Sequence, residues 1–218
     1  MTTREMKQAV LDASKQAFAQ GLFAGTSGNL SLRDPQTGLI AITPSSVSYD
    51  AMTPDDVVLL APDGAVVECL PTRRPSSEWR MHQTLYAHRR DLGAVVHTHS
   101  PSATAFAVAG EAIPAILIEM IFFLYGSVRV APYQPPGSEA LGLSALSALA
   151  GRTACLLAHH GVLAIGPDLD AALLCAVYTE DAAKICSISQ MIRRVRPLSA
   201  EAQNEIRRRM GLPEEEDA

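Results

Sequence analysis

The stretch AVVHTH, residues 94–99, is an apolar run that ends in a His-x-His pair. A short apolar run of this kind, with two valines, is typical of a buried β-strand. Side chains two residues apart on a strand project to the same face, so the imidazoles of His97 and His99 can reach one metal ion. The stretch therefore predicts a buried strand with two candidate metal ligands at its end.

A second apolar stretch, LLAHHG at residues 156–161, supplies a third histidine. Gly161 lets the backbone turn tightly beside His160, whereas His159 points to the opposite face of a continuing strand. Three histidines that leave a coordination position open are typical of a catalytic zinc site. The alternative is that they are ordinary core histidines. Two neutral imidazoles on one buried face would each need a hydrogen-bond partner, which favours metal binding.

The rest of the chain alternates between strands and helices. Periodicity predicts strands at 30–33, 39–43, 57–61, 65–68, 115–120, 128–133, 154–159 and 162–165, and helices at 4–20, 76–90, 138–150, 168–194 and 199–210, with another after residue 101. His82 and His88 fall on the second of these helices and are expected to be structural or exposed. Because several strands form hairpins, we expect a single α/β domain over residues 1–218. It would contain one mixed, largely antiparallel sheet flanked by helices, and a disordered tail at 211–218.

Composition limits the kinds of partner that this chain can have. Its 218 residues are 48% hydrophobic, which suits one domain with a sizeable core. A formal charge of −5 argues against a nucleic-acid partner. Four scattered cysteines without a C-x-x-C pair indicate free thiols in a reducing compartment. No signal peptide or transmembrane-length run is evident, so we expect a cytoplasmic protein without a membrane partner.

Glu78 stands at the start of a predicted helix, behind Ser76 and Ser77. A carboxylate there is explained by the helix dipole, which is the better interpretation from the local sequence alone. The functional interpretation is a general base near the metal, with a pKa tuned by the ion and by burial.

Three turns rich in small polar residues, at 25–29, 43–46 and 76–77, have the composition of an anion cradle. Backbone N–H groups and hydroxyls suit phosphate oxygens without many lysines. The alternative is that each is an ordinary turn, because the same residues are routine turn formers.

Four motifs occur together in this order: GTSGNLS at 25–31, PSSEWR at 75–80, VVHTH at 95–99 and HHG at 159–161. Their sequence and separations resemble the class II aldolase/adducin family, and within it the fuculose-phosphate branch, over residues 6–210. The resemblance implies an α/β domain that forms a cyclic homotetramer with active sites near subunit interfaces.

The resemblance also implies roles for individual residues. Zinc, or another divalent ion such as Mn²⁺ or Co²⁺, would be held by His97, His99 and His160, with Glu78 as the catalytic acid/base. The implied phosphate site consists of Thr26, Gly28, Asn29, Ser45, Ser46, Ser76 and Ser77. The implied reaction is reversible aldol cleavage of a ketose 1-phosphate to dihydroxyacetone phosphate and an aldehyde, with the metal stabilising the enediolate.

The sequence departs from the fuculose-phosphate branch on the aldehyde side of the substrate. That branch has a tyrosine shortly after Ile-Pro-Ala-Ile, whereas here residues 113–116 are followed by LIEM. A second tyrosine of the branch is replaced by Met210. A pocket of Ile118, Met120 and Met210, with Tyr125 as a substitute tyrosine, would favour an apolar substrate tail. The expected substrate is a 5-deoxy- or 5-methylthio-pentulose 1-phosphate, as in nucleoside and methionine salvage. The alternative is that these apolar residues are core.

Other reactions use the same metal-assisted chemistry. They are epimerisation of a sugar phosphate at C4, decarboxylation of a 3-oxo-acid phosphate, and dehydration of methylthioribulose 1-phosphate. A non-catalytic adducin-like module is the alternative from another class of protein, but such a module would be expected to lose metal ligands or the acidic residue, and this chain retains all four.

Overall fold

The computed structural model describes residues 1–215, which form one eight-stranded sheet with helices on both faces. The strands are β1 Asn29–Arg33, β2 Ile40–Ile42, β3 Val58–Leu60, β4 Val66–Glu68, β5 Ala94–Thr98, β6 Arg129–Ala131, β7 Ala154–Leu157 and β8 Gly161–Gly166. Their spatial order is β4-β3-β2-β1-β5-β8-β7-β6, and only the β6–β7 pair is parallel. The predicted mixed, largely antiparallel sheet is confirmed.

Six α-helices cover the sheet. They are α1 Thr3–Ala19, α2 Trp79–His88, α3 Pro101–Ala109, α4 Glu139–Ala148, α5 Leu169–Ile192 and α6 Ala200–Arg209, with a short 3₁₀ helix at Pro54–Asp56 and a π-helical segment at Met120–Leu124. Helices α1, α3 and α5 pack on one face, and α2 and α4 pack on the other. Each face therefore has its own apolar core.

The alternation of side chains along β5 assigns the histidines to one of these faces. Val96 packs in the core beneath α1, α3 and α5, whereas Val95 packs in the core beneath α2 and α4. Both valines are fully buried, and each contributes roughly 1.5–3 kcal/mol of hydrophobic stabilisation. Because side chains repeat every two residues, His97 lies on the α2 face. The hydrophobic pattern of the strand thereby fixes where the polar site is built.

The strand predicted at 115–120 does not form. Ile113 makes only an isolated antiparallel bridge with Val128, and the chain then enters the π-helical segment 120–124. Pro114 has no backbone N–H to donate to a sheet ladder, which limits the pairing to that bridge. The backbone N–H of Ile116 donates instead to the thioether sulfur of Met120, at 3.4 Å.

The predicted disordered tail is wrong for residues 211–215, and 216–218 lie outside the described residues. Arg152 is 4% exposed, and its guanidinium donates two hydrogen bonds to the carboxylate of Glu215, which lowers the pKa of that carboxyl. Asn204 exchanges two further bonds with the Glu215 backbone, each of 3.0 Å. A buried guanidinium needs acceptors for its N–H groups, and the Glu215 carboxylate supplies them together with the carbonyls of Ser127 and Gly151.

The four cysteines are free thiols, as predicted. Burial raises the pKa of Cys175 and Cys186, which lowers their thiolate fraction and their reactivity. Within residues 1–215, no helix combines the length and the hydrophobicity that crossing a lipid bilayer requires.

Candidate active site

The structure brings His97, His99 and His160 together. His97 is on β5, His99 lies just beyond its end, and His160 is in the turn between β7 and β8. One ring nitrogen from each histidine lies within 4.8 Å of the other two, and the Nε2 atoms of His97 and His99 are 3.0 Å apart. The three imidazoles thus converge on one point, which is the arrangement predicted for a metal site.

His97 is held in the tautomer that a metal ligand needs. Its Nδ1–H donates to the carbonyl of Val162 at 2.8 Å, which leaves the lone pair of Nε2 directed at the other two rings. Burial, reinforced by His160 and His99, holds the pKa of His97 well below its ordinary value. A neutral imidazole oriented by a backbone carbonyl is the usual state of a histidine that binds a metal.

His160 provides the test of whether a metal fits. Its Nδ1 is buried and has no hydrogen-bond partner among residues 1–215. Such an atom requires a partner that the described chain does not supply. Burial also lowers the pKa of His160 and of His99, so all three rings favour the neutral, ligating form. Three neutral imidazoles fit a divalent ion of the zinc type, with at least one coordination position left open.

Gly161 is required for this convergence. A Cβ at this position would collide with the carbonyl oxygen of Thr98 and lie 3.2–3.3 Å from the rings of His99 and His97. His159 adopts a left-handed conformation with φ of 57° and is exposed, outside the cluster. The prediction that His159 is not a ligand agrees with this placement.

Glu78 does not cap the helix that it precedes. It occupies the N-cap position of α2, yet its side chain makes no capping bond and one carboxylate oxygen accepts the N–H of Gly137 at 2.9 Å. The residue is 6% exposed, and burial raises the pKa of the carboxyl, opposed by the Gly137 bond. A carboxyl with a raised pKa beside a metal site suits proton transfer at neutral pH.

A cavity of about 200 Å³ joins the histidines, Glu78 and the polar turns. Its lining residues are Thr26, Ser27, Gly28, Asn29, Pro44, Ser45, Ser46, Ser76, Ser77, Glu78, His97, His99 and His160. All seven residues of the predicted phosphate site are among them. The predicted phosphate site named neither Ser27 nor Pro44, although both lie in the turns predicted as an anion cradle, and sequence reasoning missed the N–H of Gly137, which no motif singles out.

Short backbone contacts hold the polar turns together. Pro44 and Pro75 form an isolated antiparallel bridge, and the N–H of Ser76 donates to the carbonyl of Thr43 at 3.0 Å. This extended pairing explains why α2 begins at Trp79 rather than at the predicted serines, because residues 75–76 are used in the bridge. Two segments that are distant in sequence therefore present their hydroxyls to one cavity.

Asn29 links the polar turns to the metal strand. It begins β1 and pairs directly with His97 of β5 in the antiparallel register. Gly28 precedes it with φ of 87°, and a Cβ there would collide with the ring of Phe23. The turn at 25–29 thus places the Asn29 amide next to the metal ligands.

Two further side chains, those of His82 and Glu180, hold in place the segments next to Asn29 and His99. The fully buried His82, for which sequence analysis expected only a structural or exposed role, contacts Asn29, and burial lowers its pKa to about 3. Glu180 of α5 accepts the N–H groups of Ser102 and Ala103, at 2.9 and 2.8 Å. This carboxylate satisfies the N-terminus of α3, which follows directly after His99.

The predicted aldehyde-pocket residues do not line the cavity. Met120 is 1% exposed and belongs to the apolar core, so the alternative interpretation is correct for this residue. Ile118 is 52% exposed, and Tyr125 and Met210 are half-buried elsewhere on the chain. The cause is the missing strand at 115–120, because the π-helical segment turns Met120 into the core.

Comparison with known proteins identifies relatives over most of the chain. Residues 8–187 match the family described as Class II Aldolase and Adducin N-terminal domain. A 5-methylthioribulose-1-phosphate/5-deoxyribulose-1-phosphate aldolase of Rhodospirillum rubrum is 41% identical over 179 residues, covering 82% of this chain and 79% of that protein. A 5-deoxy-D-ribulose 1-phosphate aldolase of Bacillus thuringiensis serovar kurstaki is 38% identical over 185 residues, covering 85% of each. A solved L-fuculose 1-phosphate aldolase has a TM-score of 0.89 at 35% identity, covering 95% of this chain and 97% of that one.

The matched range includes every residue of the cavity described above. The relatives exceed 30% identity over more than two thirds of the chain, and their names are those of aldolases. The resemblance drawn from the four motifs is therefore confirmed, and so is the choice of an enzyme over a non-catalytic module. The chain belongs to the class II aldolase and adducin family and is an enzyme of its carbon–carbon lyase type.

Proposed function

We propose that this enzyme cleaves a ketose 1-phosphate reversibly to dihydroxyacetone phosphate and an aldehyde, with zinc as its metal. The observation that carries the proposal is the cavity of about 200 Å³, which joins three convergent histidines, a buried carboxyl and a set of neutral anion-binding groups. A small substrate that carries an anionic group and offers oxygens to a metal would contact all three at once.

Glu78 is the residue that we assign to proton transfer. In the cleavage direction the C4 hydroxyl gives up its proton to solvent, the C3–C4 bond breaks as C4 becomes the aldehyde carbonyl, and the electron pair left on C3 takes the proton of the Glu78 carboxyl. In the synthetic direction the carboxylate removes the same proton from C3 of dihydroxyacetone phosphate. The raised pKa of Glu78 favours both transfers, because the group holds its proton closer to neutral pH than an exposed glutamate does. A divalent ion held by the three histidines would supply Lewis-acid stabilisation of the charge that develops on the substrate oxygens.

The phosphate is assigned to the polar turns. Neither lysine nor arginine is among the cavity-lining residues of the described chain. Hydroxyls of Ser45, Ser46, Ser76 and Ser77, the amide of Asn29, and backbone N–H groups at Thr26 and Gly28 would bind the phosphate oxygens. Neutral donors of this kind bind an anion without placing further positive charge beside the metal.

The substrate tail is the most specific part of the proposal. We favour a 5-deoxy- or 5-methylthio-pentulose 1-phosphate, which would place the enzyme in a methionine or nucleoside salvage pathway. The support comes from the substrates in the names of the Rhodospirillum and Bacillus relatives. It does not come from an apolar pocket, because Met120 lies in the core of the chain.

A dihydroxyacetone-phosphate release assay tests the substrate. With 5-deoxyribulose and methylthioribulose 1-phosphates, we expect kcat/KM to exceed that for fuculose 1-phosphate by about 10- to 100-fold. Chelated enzyme is the control for metal dependence. Preference for fuculose 1-phosphate would refute the tail assignment. Formation of an epimer, carbon dioxide or a dehydrated ketone in place of the aldehyde would replace aldol cleavage by the corresponding alternative reaction.

We also propose a homotetramer with active sites near subunit interfaces. Large apolar side chains lie exposed near the π-helical segment, including Ile118 and Phe122, and a subunit interface at this segment would bury them. Light scattering is expected to give about four times the chain mass of 23.3 kDa. A mass equal to one chain would contradict this proposal.

A further inference from the structure

A chain of buried polar side chains lies behind Asn29, on the sheet face that α2 covers. His82 of α2 is 0% exposed and sits between two residues of β1. Its Nδ1 is 2.7 Å from the hydroxyl of Ser31, and its Nε2 is 2.6 Å from Oδ1 of Asn29. The hydroxyl of Tyr86, also on α2, is 2.8 Å from that of Ser31 and 3.0 Å from the Ser31 carbonyl. Neither the aldol chemistry nor the metal site described above uses these three side chains.

The direction of the hydrogen bonds follows from what each atom can do. A fully buried imidazole without an acidic partner is neutral and carries a single N–H. Oδ1 of Asn29 can only accept, so the Nε2 of His82 must donate to it. The Nδ1 of His82 then has a free lone pair and accepts the hydroxyl proton of Ser31. The hydrogen bonds therefore run in one direction: Ser31 donates to His82, and His82 donates to Asn29 at the cavity.

These hydrogen bonds determine which atoms of the Asn29 amide are free to bind a ligand. With its oxygen engaged by His82, the Nδ2 group is the part of the side chain that makes no hydrogen bond to another residue in 1–215. Asn29 lines the cavity and pairs with His97 in the sheet register. The amide therefore offers two N–H donors to a ligand, at a position fixed relative to the metal ligands.

We propose that His82 is a positioning residue, which holds the Asn29 amide with its N–H groups facing the cavity as donors to the substrate phosphate. An amide can rotate by 180° at little intrinsic cost, and the rotated form would present an oxygen to an anion. The buried N–H of His82 prevents this rotation. The inference rests on the proposed function in one respect, since Asn29 needs an anionic group as its ligand.

The first measurement is the tautomer of His82 in the full-length enzyme. Two-bond ¹H–¹⁵N correlation spectra of histidine-labelled protein distinguish Nε2–H from Nδ1–H, and the His82→Phe variant assigns the signal. We expect the Nε2–H form. The Nδ1–H form would overturn the proposal, because the Nε2 of His82 would then accept and the Asn29 oxygen would face the cavity.

The second measurement is binding of inorganic phosphate, followed by steady-state kinetics with the preferred ketose 1-phosphate. In His82→Phe we expect the phosphate Kd and the KM to rise about 10- to 100-fold, with kcat within about threefold and metal content unchanged. His82→Gln keeps an N–H donor and is expected to restore most of the affinity. Tyr86→Phe is the matched control at the far end of the chain, and its phosphate Kd is expected to change by less than about threefold.

These results separate the inference from the proposed function. Unchanged phosphate affinity in a folded His82→Phe variant would overturn the positioning role. Weakened phosphate binding in a protein that cleaves no ketose phosphate would retain the positioning role and refute the aldol assignment. If His82→Phe does not fold, His82→Gln assigns the His82 signal instead, and the tautomer in the unmodified enzyme decides the question.

Discussion

Replacing His99 with alanine is expected to abolish stoichiometric metal binding and to lower kcat/KM by at least about a thousandfold. The metal is assigned several kcal/mol of stabilisation of the charge that develops during C–C cleavage, and each 1.36 kcal/mol is a factor of ten in rate. His99 is a better target than His97, because His97 is buried in β5 and bonded to Val162, so that its loss would also disturb the sheet. Metal analysis of the purified variant, followed by the release assay, measures both effects.

His159→Ala is the matched control for this experiment. His159 is the neighbour of His160 but is exposed and outside the cluster, so its loss is expected to leave metal content and activity within about twofold of the starting values. A His99→Ala variant that keeps one equivalent of metal and most of its activity would show that these histidines are not the catalytic metal site.

Replacing Glu78 with glutamine is expected to lower kcat by about 10²- to 10⁴-fold, which is the usual contribution of a general acid–base group. Glutamine keeps the size of the side chain and can still accept the N–H of Gly137, so KM and metal content are expected to change little. Exposed Glu139, at the start of α4, is the matched control, and Glu139→Gln is expected to be neutral. A Glu78→Gln variant with normal kcat would show that Glu78 does not transfer the proton and has only a structural role.

Glu78→Gln is expected to lower activity but to raise the stability of the folded protein at neutral pH. Burial raises the pKa of Glu78 above its unfolded value, so the folded state binds more protons as the carboxyl titrates and stability falls as pH rises through that interval. Above both pKa values the carboxylate is a net cost that glutamine lacks. In metal-free enzyme, urea denaturation is therefore expected to give a higher free energy of unfolding for Glu78→Gln at neutral pH. The difference is expected to vanish below the unfolded pKa.

The parts of this site that local periodicity controls could be predicted from the sequence. The two-residue repeat of a strand places His97 and His99 on one side, and Gly161 indicates the turn that brings in His160. Other parts depend on which strands are neighbours. Nothing near His82 in sequence reveals that Asn29 and Ser31 lie opposite it, because that contact arises only when α2 packs on the face of β1.

The failed predictions have local physical causes of a different kind. Residues 115–120 have the hydrophobicity of a strand, but a proline limits their pairing to one bridge and the following residues form a π-helical segment. The acidic composition of the C-terminus suggested disorder, whereas buried Arg152 uses Glu215 as its acceptor. In both cases the group that decides the structure, Pro114 or Arg152, lies outside the sequence segment from which the prediction was made.

The contact between Arg152 and Glu215 has a practical consequence for anyone who engineers this enzyme. The last five residues, EEEDA, resemble a dispensable acidic appendage that is routinely trimmed before crystallisation. Trimming at residue 213 would remove Glu215 and leave the buried Arg152 guanidinium with only the backbone carbonyls of Ser127 and Gly151 as acceptors, so the free energy of unfolding is expected to fall. Shortened variants should therefore retain Glu215, so that its carboxylate keeps its place beside Arg152.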